Sequence, residues 1–222
     1  MKLAVLISGA GRTLKNFIDL TAEGTLPVDI RLVISSSAKA GGLKFAEDAG
    51  IATRVIPRGD FPVDADGDIA FGEAVFGVCR EAGVEFVAMA GFLKLAPLPN
   101  DFMGRVLNIH PALIPSFCGP GMYGHRVHQA VLEAGVRVTG CTVHFVDNQY
   151  DHGPIIWQQP VPVFDDDTAA TLADRVFESE KEAYPHVLKL LAGGKIKLDG
   201  RRVKIDIRSR GEGTQMRRYP ID

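Results

Sequence analysis

The strongest constraint on the fold is a repeated order of apolar run, short loop and amphipathic helix in the first half of the chain. Residues 3–7 form a continuous apolar run that ends in a glycine loop at residues 8–11. Apolar side chains then recur at helical spacing, at Leu14, Phe17 and Ile18. A short apolar run bounded by glycine is typical of a strand buried on both faces of a parallel sheet. This first unit therefore predicts a strand, a glycine loop and a helix.

The same order recurs along the chain. Further strands are predicted at residues 30–34, 54–56, 86–90 and 106–109, and helices at 43–49, at 68–82 and around 127–134. Strands that alternate with helices pair in parallel, and their connecting helices cover the sheet. We therefore expect an α/β fold, with an open, mostly parallel, Rossmann-like sheet and helices on both faces.

The C-terminal half has a different pattern. Residues 138–146 and 155–163 are two β-rich runs, which predict an antiparallel extension at the sheet edge. A long helix at 168–192 is expected to bend or break at Pro185, because proline lacks an amide hydrogen. From Lys195 onward we expect a short edge hairpin, and then disorder toward Arg217-Arg218-Tyr219.

Polar residues at the starts of three predicted helices are candidate N-caps. They are Thr13 for the first helix, Asp68 for the third and the acidic run at 165–167 for the last. Short oxygen-bearing side chains at this position accept hydrogen bonds from the free amides of the first helical turn. We expect capping, and not metal binding, to be the role of the acidic run.

Composition narrows the class of protein. The chain has 222 residues, 46% of them hydrophobic, a formal net charge of -2 and three cysteines without a Cys-x-x-Cys motif. The small net charge gives no general attraction to nucleic acid or membranes. The three cysteines, without that motif, suggest neither a disulfide framework nor a zinc module. The N-terminal apolar run is too short for a signal peptide. We expect a cytoplasmic protein that binds small molecules.

Two short motifs predict an active site. Asn108 and His110 lie at the end of a predicted strand, and Pro111 biases His110 toward extended geometry. Ligands of open α/β sheets bind at the carboxyl ends of the strands, so both side chains can reach one substrate atom. Asp151 lies in a Gly/Pro turn and supplies a carboxylate that can orient an imidazole. The alternative is a core histidine beside an ordinary Asx turn.

The glycine loop is a candidate phosphate site. Gly11, Arg12 and Thr13 lie where a strand turns into a helix, and the amides of a helix N-terminus attract anions. Arg12 adds a positive charge. A tight turn without a ligand remains open, and no acidic residue ends the second strand to bind a dinucleotide ribose.

Five of the six histidines fall between residues 110 and 152, which raises the question of a metal site. His125 and His128 have helical spacing, but no carboxylate or cysteine nearby completes a familiar ligand set. We therefore expect no metal. His144, within a β-rich run, is either a second active-site imidazole or a core histidine.

Together these motifs resemble those of the phosphoribosylglycinamide formyltransferases, a folate-dependent family. The resemblance spans residues 1 to 195 and rests on five segments in order: Ser8-Gly9-x-Gly11, Ala90-Gly91-Phe92, Asn108-Ile109-His110-Pro111, the 138–146 strand and Asp151-x-Gly153-Pro154. It implies a single formyltransferase domain at 1–195, with a phosphate- and substrate-binding half at 1–105, a catalytic and folate-binding half at 106–195, and a C-terminal tail at 196–222.

The resemblance also implies an activity and a set of site residues. A formyl group would pass from 10-formyltetrahydrofolate, the co-substrate, to the amine of phosphoribosylglycinamide, a step of purine biosynthesis. Asn108, His110 and Asp151 would be catalytic, and Gly11, Arg12 and Thr13 would hold the substrate phosphate. The folate would contact Leu93, Lys94, Leu95, Ala96, Asn108, His144 and Asp147. A homodimer is one candidate assembly.

Some residues depart from the family pattern. Thr13 stands where many members have asparagine, and Lys94 stands where they have arginine. The loop at Cys118–Gly124 is longer than in some relatives. Two alternative functions therefore stay open: a folate-dependent formyltransferase for another amine, such as a nucleotide-linked amino sugar, and a noncatalytic phosphate- or nucleotide-binding module.

Overall fold

The computed structural model describes residues 1–206 of the chain. A seven-stranded sheet in the order β3-β2-β1-β4-β5-β6-β7 forms its centre. The first five strands in this order pair in parallel, and β6 and β7 add to β5 in antiparallel fashion. The strands are β1 (Lys2–Ile7), β2 (Asp29–Ser35), β3 (Ala52–Val55), β4 (Phe86–Met89), β5 (Val106–His110), β6 (Val138–Phe145) and β7 (Ile155–Pro162). The predicted fold class is confirmed.

Five helices cover the two faces of this sheet. They are α1 (Arg12–Ala22), α2 (Gly42–Asp48), α3 (Ala65–Glu81), α4 (His125–Glu133) and α5 (Ala169–Ala192). Strand β1 shows how the two faces divide, because Leu3, Val5 and Ile7 join the core cluster that contains α1, α2, α4 and α5. Ala4 and Leu6 point the other way, into the cluster that contains α3. The apolar run is therefore apolar throughout because both of its faces are buried.

Helix α1 begins at Arg12, before Thr13, so the prediction of a Thr13 cap was wrong. Gly11 is the N-cap, in the left-handed conformation at φ 72°, and no side chain of the described residues caps the helix. A Cβ on Gly11 would lie 2.5 Å from Cα of Gly42 at the start of α2. Both the positive φ and the close approach of two backbones require glycine here.

The predicted caps of α3 and α5 also need correction. Asp64, and not Asp68, caps α3 by accepting a hydrogen bond from the amide of Gly67 at 2.7 Å. Helix α5 is capped by Thr168, which exchanges hydrogen bonds with Thr171 in a capping box. Such caps stabilise a helix by about 1 kcal/mol. The nearest acidic residues were misassigned because side chains with equal capping propensity stand within a few residues of each helix start.

Two of the acidic residues that the sequence predicts as caps, Asp68 and Asp167, instead bind arginines. Asp68 accepts hydrogen bonds from Arg58 at 2.7 and 3.1 Å. Asp167 accepts two from Arg175 at 2.6 and 2.7 Å, and these bonds lower the pKa of Asp167 well below its ordinary value. A paired guanidinium and carboxylate of this kind fixes a loop against the helix that follows it.

Helix α5 runs unbroken through Pro185, against expectation. Proline cannot donate the hydrogen bond that the carbonyl of Lys181 would receive in a regular helix. The side-chain amide of Asn16 donates to that carbonyl instead, at 3.1 Å. The acceptor is thereby satisfied from α1, and the helix continues.

The predicted C-terminal hairpin forms, but it does not extend the edge of the main sheet, where we expect it from the sequence. It makes a separate two-stranded sheet. Strands β8 (Ile196–Asp199) and β9 (Arg202–Ile205) pair only with each other among the described residues. Ile196, Val203 and Ile205 pack against the main core. The disorder predicted near the C-terminus falls on residues 207–222, outside the described residues.

The bond between Asn16 and Lys181 gives a stability test. Asn16→Ala should lower the free energy of unfolding by about 1 kcal/mol, because a partly buried carbonyl loses its donor. The same replacement in a Pro185→Ala background should cost less, since alanine, unlike proline, supplies a backbone amide to the Lys181 carbonyl. Urea unfolding of the four proteins measures both values. Equal costs in the two backgrounds would contradict this explanation of the continuous helix.

Candidate active site

The candidate site lies where the strand order reverses. The chain runs outward from β1 to β2 and β3, then returns to the other side of β1 with β4. A crevice opens at such a point, outside the carboxyl ends of the strands. Ser8, after β1, ties the two sides together, because its amide donates to the carbonyl of Gly91 and its hydroxyl accepts from the amide of Leu93, both at 3.0 Å.

A cavity of about 450 Å³ occupies this crevice, a size that suits one small organic ligand or more. Its walls contain all but one of the predicted site residues: Arg12, Thr13, Leu93, Lys94, Leu95, Ala96, Asn108, His110, His144, Asp147 and Asp151. Gly11, the N-cap of α1, is the exception, since it does not line the cavity. The sequence motifs, which are up to 139 positions apart (151 minus 12), therefore line one cavity.

His110 ends β5 and is 3% exposed. Its Nε2 carries a hydrogen, because its partner among the described residues is the carbonyl oxygen of Phe117, at 2.8 Å, which can only accept. Its Nδ1 faces Oδ2 of Asp151 at 3.4 Å. Two lone pairs would repel each other at this distance, so the contact is favourable when one proton lies between the imidazole and the carboxylate.

Asp151 is the centre of the polar cluster. Its Oδ2 also accepts a hydrogen bond from the amide of Gly119 at 2.9 Å, and its Oδ1 lies 3.8 Å from Nε2 of His144. Among the described residues, Asp151 and Phe117 are the two non-glycine residues with positive φ, each at 51°. Strained backbone of this kind persists where surrounding contacts hold it, often at functional sites. Both strained residues contact the same histidine.

His144, which the sequence left as either an active-site or a core histidine, is buried and also lines the cavity. Its Nδ1 donates to the carbonyl of Phe145 at 2.8 Å, and burial lowers its pKa below the ordinary value. The ring is therefore neutral, with a lone pair on Nε2. That atom lies 3.4 Å from Nδ2 of Asn108, which donates to it. His144 thus orients the side-chain amide of Asn108. The second N–H and the oxygen of that amide stay available to a ligand.

One end of the cavity is suited to an anion. Arg12 stacks its guanidinium over the ring of Phe177, with Cζ 3.7 Å from the ring centroid. A weak hydrogen bond of 3.4 Å joins it to the exposed Asp174. The first turn of α1, which has no side-chain cap among the described residues, lies beside it. Backbone amides at a helix N-terminus and a guanidinium together favour a phosphate or carboxylate.

The other end is built from two loops. Residues 93–96 follow β4, and residues 147–151 follow β6; both line the cavity. Asn148 joins them, because its side-chain oxygen accepts a hydrogen bond from the amide of Leu98 at 2.7 Å. Leu93, Leu95 and Ala96 give this end apolar surface, and Asp147 and Gln149 add polar groups to it.

Sequence reasoning missed Glu180 on α5. It lines the cavity together with Ala173 and Phe177, which lie seven and three residues before it on the same helix face. Burial raises the pKa of Glu180 to about 8, and the nearby Arg12 opposes this shift. A carboxyl group on an otherwise apolar helix stripe is the signal that could have found it. The group adds a hydrogen-bonding side chain near the anion end.

Within residues 1–206, no group of three or more histidine, cysteine, aspartate or glutamate side chains is placed to hold a metal ion. Over the same residues, no helix has the length and apolar character needed to cross a membrane.

The chain is similar to several named proteins. A protein of Haemophilus influenzae named phosphoribosylglycinamide formyltransferase is 37% identical over 199 residues, which cover 89% of this chain and 90% of that protein. A trifunctional purine biosynthetic protein adenosine-3 of Gallus gallus is 44% identical over 200 residues, 89% of this chain. The chain spans only 19% of the length of that larger protein.

A solved structure extends the similarity to the fold. Glycinamide ribonucleotide transformylase 1 from Symbiobacterium toebii superposes with a TM-score of 0.82 at 37% identity, over 92% of this chain and 93% of that one. The family model described as formyl transferase matches residues 1–188, which include every residue of the cavity wall. The chain belongs to the formyl transferase family.

Proposed function

We propose that this protein transfers a formyl group from 10-formyltetrahydrofolate to the amine of phosphoribosylglycinamide, a step of purine biosynthesis. The observation that carries the proposal is the Asp151 carboxylate held against His110 in a cavity with an anion-binding end and an apolar end. The names of the H. influenzae and S. toebii relatives support this acceptor over another amine. A cytoplasmic location and a homodimer stay predictions.

The chemistry needs one bond made and one broken. The acceptor amine attacks the formyl carbon, which forms a carbon–nitrogen bond and places negative charge on the formyl oxygen. The bond from that carbon to the folate nitrogen then breaks, and the proton lost by the amine passes to the leaving nitrogen. Hydrogen-bond donors aimed at the developing oxyanion are the most effective catalytic groups for such a step.

Asn108 and His110 are the proposed oxyanion donors. The Asn108 amide keeps one N–H available after binding His144. The Nε2 hydrogen of His110 is donated to the Phe117 carbonyl, so the formyl oxygen would replace this carbonyl as the acceptor. Replacement requires the 111–124 loop to shift at Phe117, whose left-handed backbone stores strain that a shift would release.

Asp151 is the proposed route for the proton. Its carboxylate lies near His110 and His144 and reaches the same cavity. A carboxylate there accepts the proton from the amine, directly or through one water, and returns it to the folate nitrogen. A noncatalytic binding module would not need this carboxylate to be buried beside an imidazole.

The two ends of the cavity fit the two substrates. The amides of the first turn of α1, with Arg12 and Thr13, suit the acceptor phosphate. The apolar end, formed by residues 93–96 with the 147–151 loop, suits the flat pterin ring of the folate. The formyl carbon then lies between them, beside Asn108, His110 and Asp151. The reaction as proposed uses no metal.

The central experiment is an assay with purified protein and 10-formyltetrahydrofolate, with and without phosphoribosylglycinamide. We expect tetrahydrofolate to form rapidly only when the acceptor is present, with the formyl group recovered on its amine. Rapid release of formate without acceptor would make the protein a hydrolase, and no reaction with either mixture would support a binding module.

Removal of the proton-handling groups should slow turnover strongly. His110→Ala and Asp151→Asn are each expected to lower kcat by about 100-fold or more, the size of general acid–base effects. Asp166→Asn, an exposed acid on the loop before α5, is the matched control and should leave kcat unchanged. Steady-state kinetics and circular dichroism test activity and fold together; near-wild-type kcat in both site variants would disprove the assignment.

The phosphate end has its own test. Arg12→Ala should raise KM for phosphoribosylglycinamide about tenfold, because a charge-assisted hydrogen bond worth about 1.4 kcal/mol is lost. KM for the folate should stay the same, and Lys15→Ala, one turn along α1, should change neither value. Inorganic sulfate should compete with the acceptor only. Equal binding of the dephosphorylated glycinamide riboside in calorimetry would refute this phosphate site.

A further inference from the structure

The C-terminal hairpin reaches the loop that follows β6 through one side chain. Arg201 lies in the two-residue turn between β8 and β9, beside Gly200, whose φ is 58°. Its guanidinium donates to Nε2 of His152 at 3.0 Å and to the carbonyl of the same residue at 2.9 Å. One planar fork therefore holds both the ring and the backbone of His152.

The hydrogen bonds of His152 run in one direction. Arginine can only donate, so Nε2 of His152 accepts, and its hydrogen is on Nδ1. Nδ1 lies 2.7 Å from Oδ2 of Asp147, to which it donates. The order is therefore Arg201 to His152 to Asp147, with the imidazole between a guanidinium and a carboxylate.

The hydrogen bonds of Asp147 connect residues within the 147–152 loop. The second oxygen of Asp147 accepts from the amide of Gln149 at 3.0 Å, so both ends of the carboxylate are engaged within the loop. A Cβ on Gly153 would overlap the carbonyl oxygen of Phe145, so only glycine allows the chain to fold back here. The loop encloses Asp151, which directly precedes His152.

The contact with His152 therefore bears on the strained residue before it. The left-handed backbone of Asp151 is unfavourable for a side chain and needs support from both neighbours. On one side the amide of Gly119 holds its carboxylate. On the other, Arg201 fixes the carbonyl of His152. The hairpin that carries Arg201 is itself anchored, because apolar side chains of β8 and β9 pack against the main core.

We propose that Arg201 is a positioning residue for the reaction: through His152 it fixes the 147–152 loop, and with it the Asp151 carboxylate and the Asp147 side of the folate end. The proposal rests on the proposed function. The C-terminal hairpin, which lies outside residues 1–188 of the family match, thereby helps to position the reacting groups. A single exposed ion pair would contribute little, but the fork binds two atoms of one residue beside the site.

Three variants of the full chain test this. Arg201→Ala should lower kcat and raise KM for 10-formyltetrahydrofolate, each about fivefold, as expected when a reacting group is misplaced slightly. KM for phosphoribosylglycinamide should not change. Arg201→Lys keeps the charge but lacks the fork, so we expect only partial recovery. Arg202→Ala, the matched control in the same hairpin, should behave as wild type, because among the described residues its side chain makes no hydrogen bond to the 147–152 loop.

A second measurement separates this proposal from the proposed function. Hydrogen exchange at the amides of residues 147–153 should quicken about fivefold or more in Arg201→Ala and not in Arg202→Ala. If wild type transfers formyl groups and Arg201→Ala keeps wild-type kcat, KM and exchange, the positioning role is wrong. If exchange and melting temperature change while kcat and both KM values do not, Arg201 is merely structural. If wild type transfers no formyl group, the proposed function fails, while the exchange result still tests the contact.

Discussion

The site depends on one interaction, the contact between the carboxylate of Asp151 and Nδ1 of His110. Both groups are nearly buried, and a carboxylate there is costly unless it is hydrogen-bonded and paired. The amide of Gly119 and the imidazole of His110 meet that cost. The left-handed backbones of Phe117 and Asp151 follow from it, because each places a hydrogen-bonding group against the same histidine.

The sheet topology makes this contact possible. The order β3-β2-β1-β4-β5 brings the glycine loop after β1 next to the ends of β4 and β5, so the anion end and the proton-handling end share one cavity. The buried Tyr184 of α5 stiffens the junction, because its hydroxyl bonds the carbonyls of Met89 in β4 and Leu107 in β5, at 3.2 and 3.0 Å. The reversal to antiparallel pairing at β6 places His144 opposite Asn108.

Much of this fold was predictable from sequence because the signals are local. Apolar runs and helical spacing indicated the elements, and Pro111 after His110 marked the strand end. The wrong caps of α3 and α5 are local errors, because several capping side chains stand near each helix start. The other errors concern long-range partners. Pro185 was expected to bend or break α5, and only the structure reveals that Asn16, 169 positions earlier (185 minus 16), satisfies the freed carbonyl and lets the helix continue. Glu180 was missed for the same reason, since a helix stripe becomes a cavity wall only after folding. The family resemblance, and not spacing, supplied the folate residues, and their contacts with folate stay predictions.

The central claim is that His110 and Asp151 act as one unit, and a double-mutant cycle tests it most directly. Single-turnover rates of formyl transfer would be measured for wild type, His110→Ala, Asp151→Asn and the double variant, with circular dichroism to check the fold. Residues that share one proton lose their joint function when either is removed. The account predicts a double variant about as slow as the slower single variant. Losses that multiply, as for two independent groups, would contradict it.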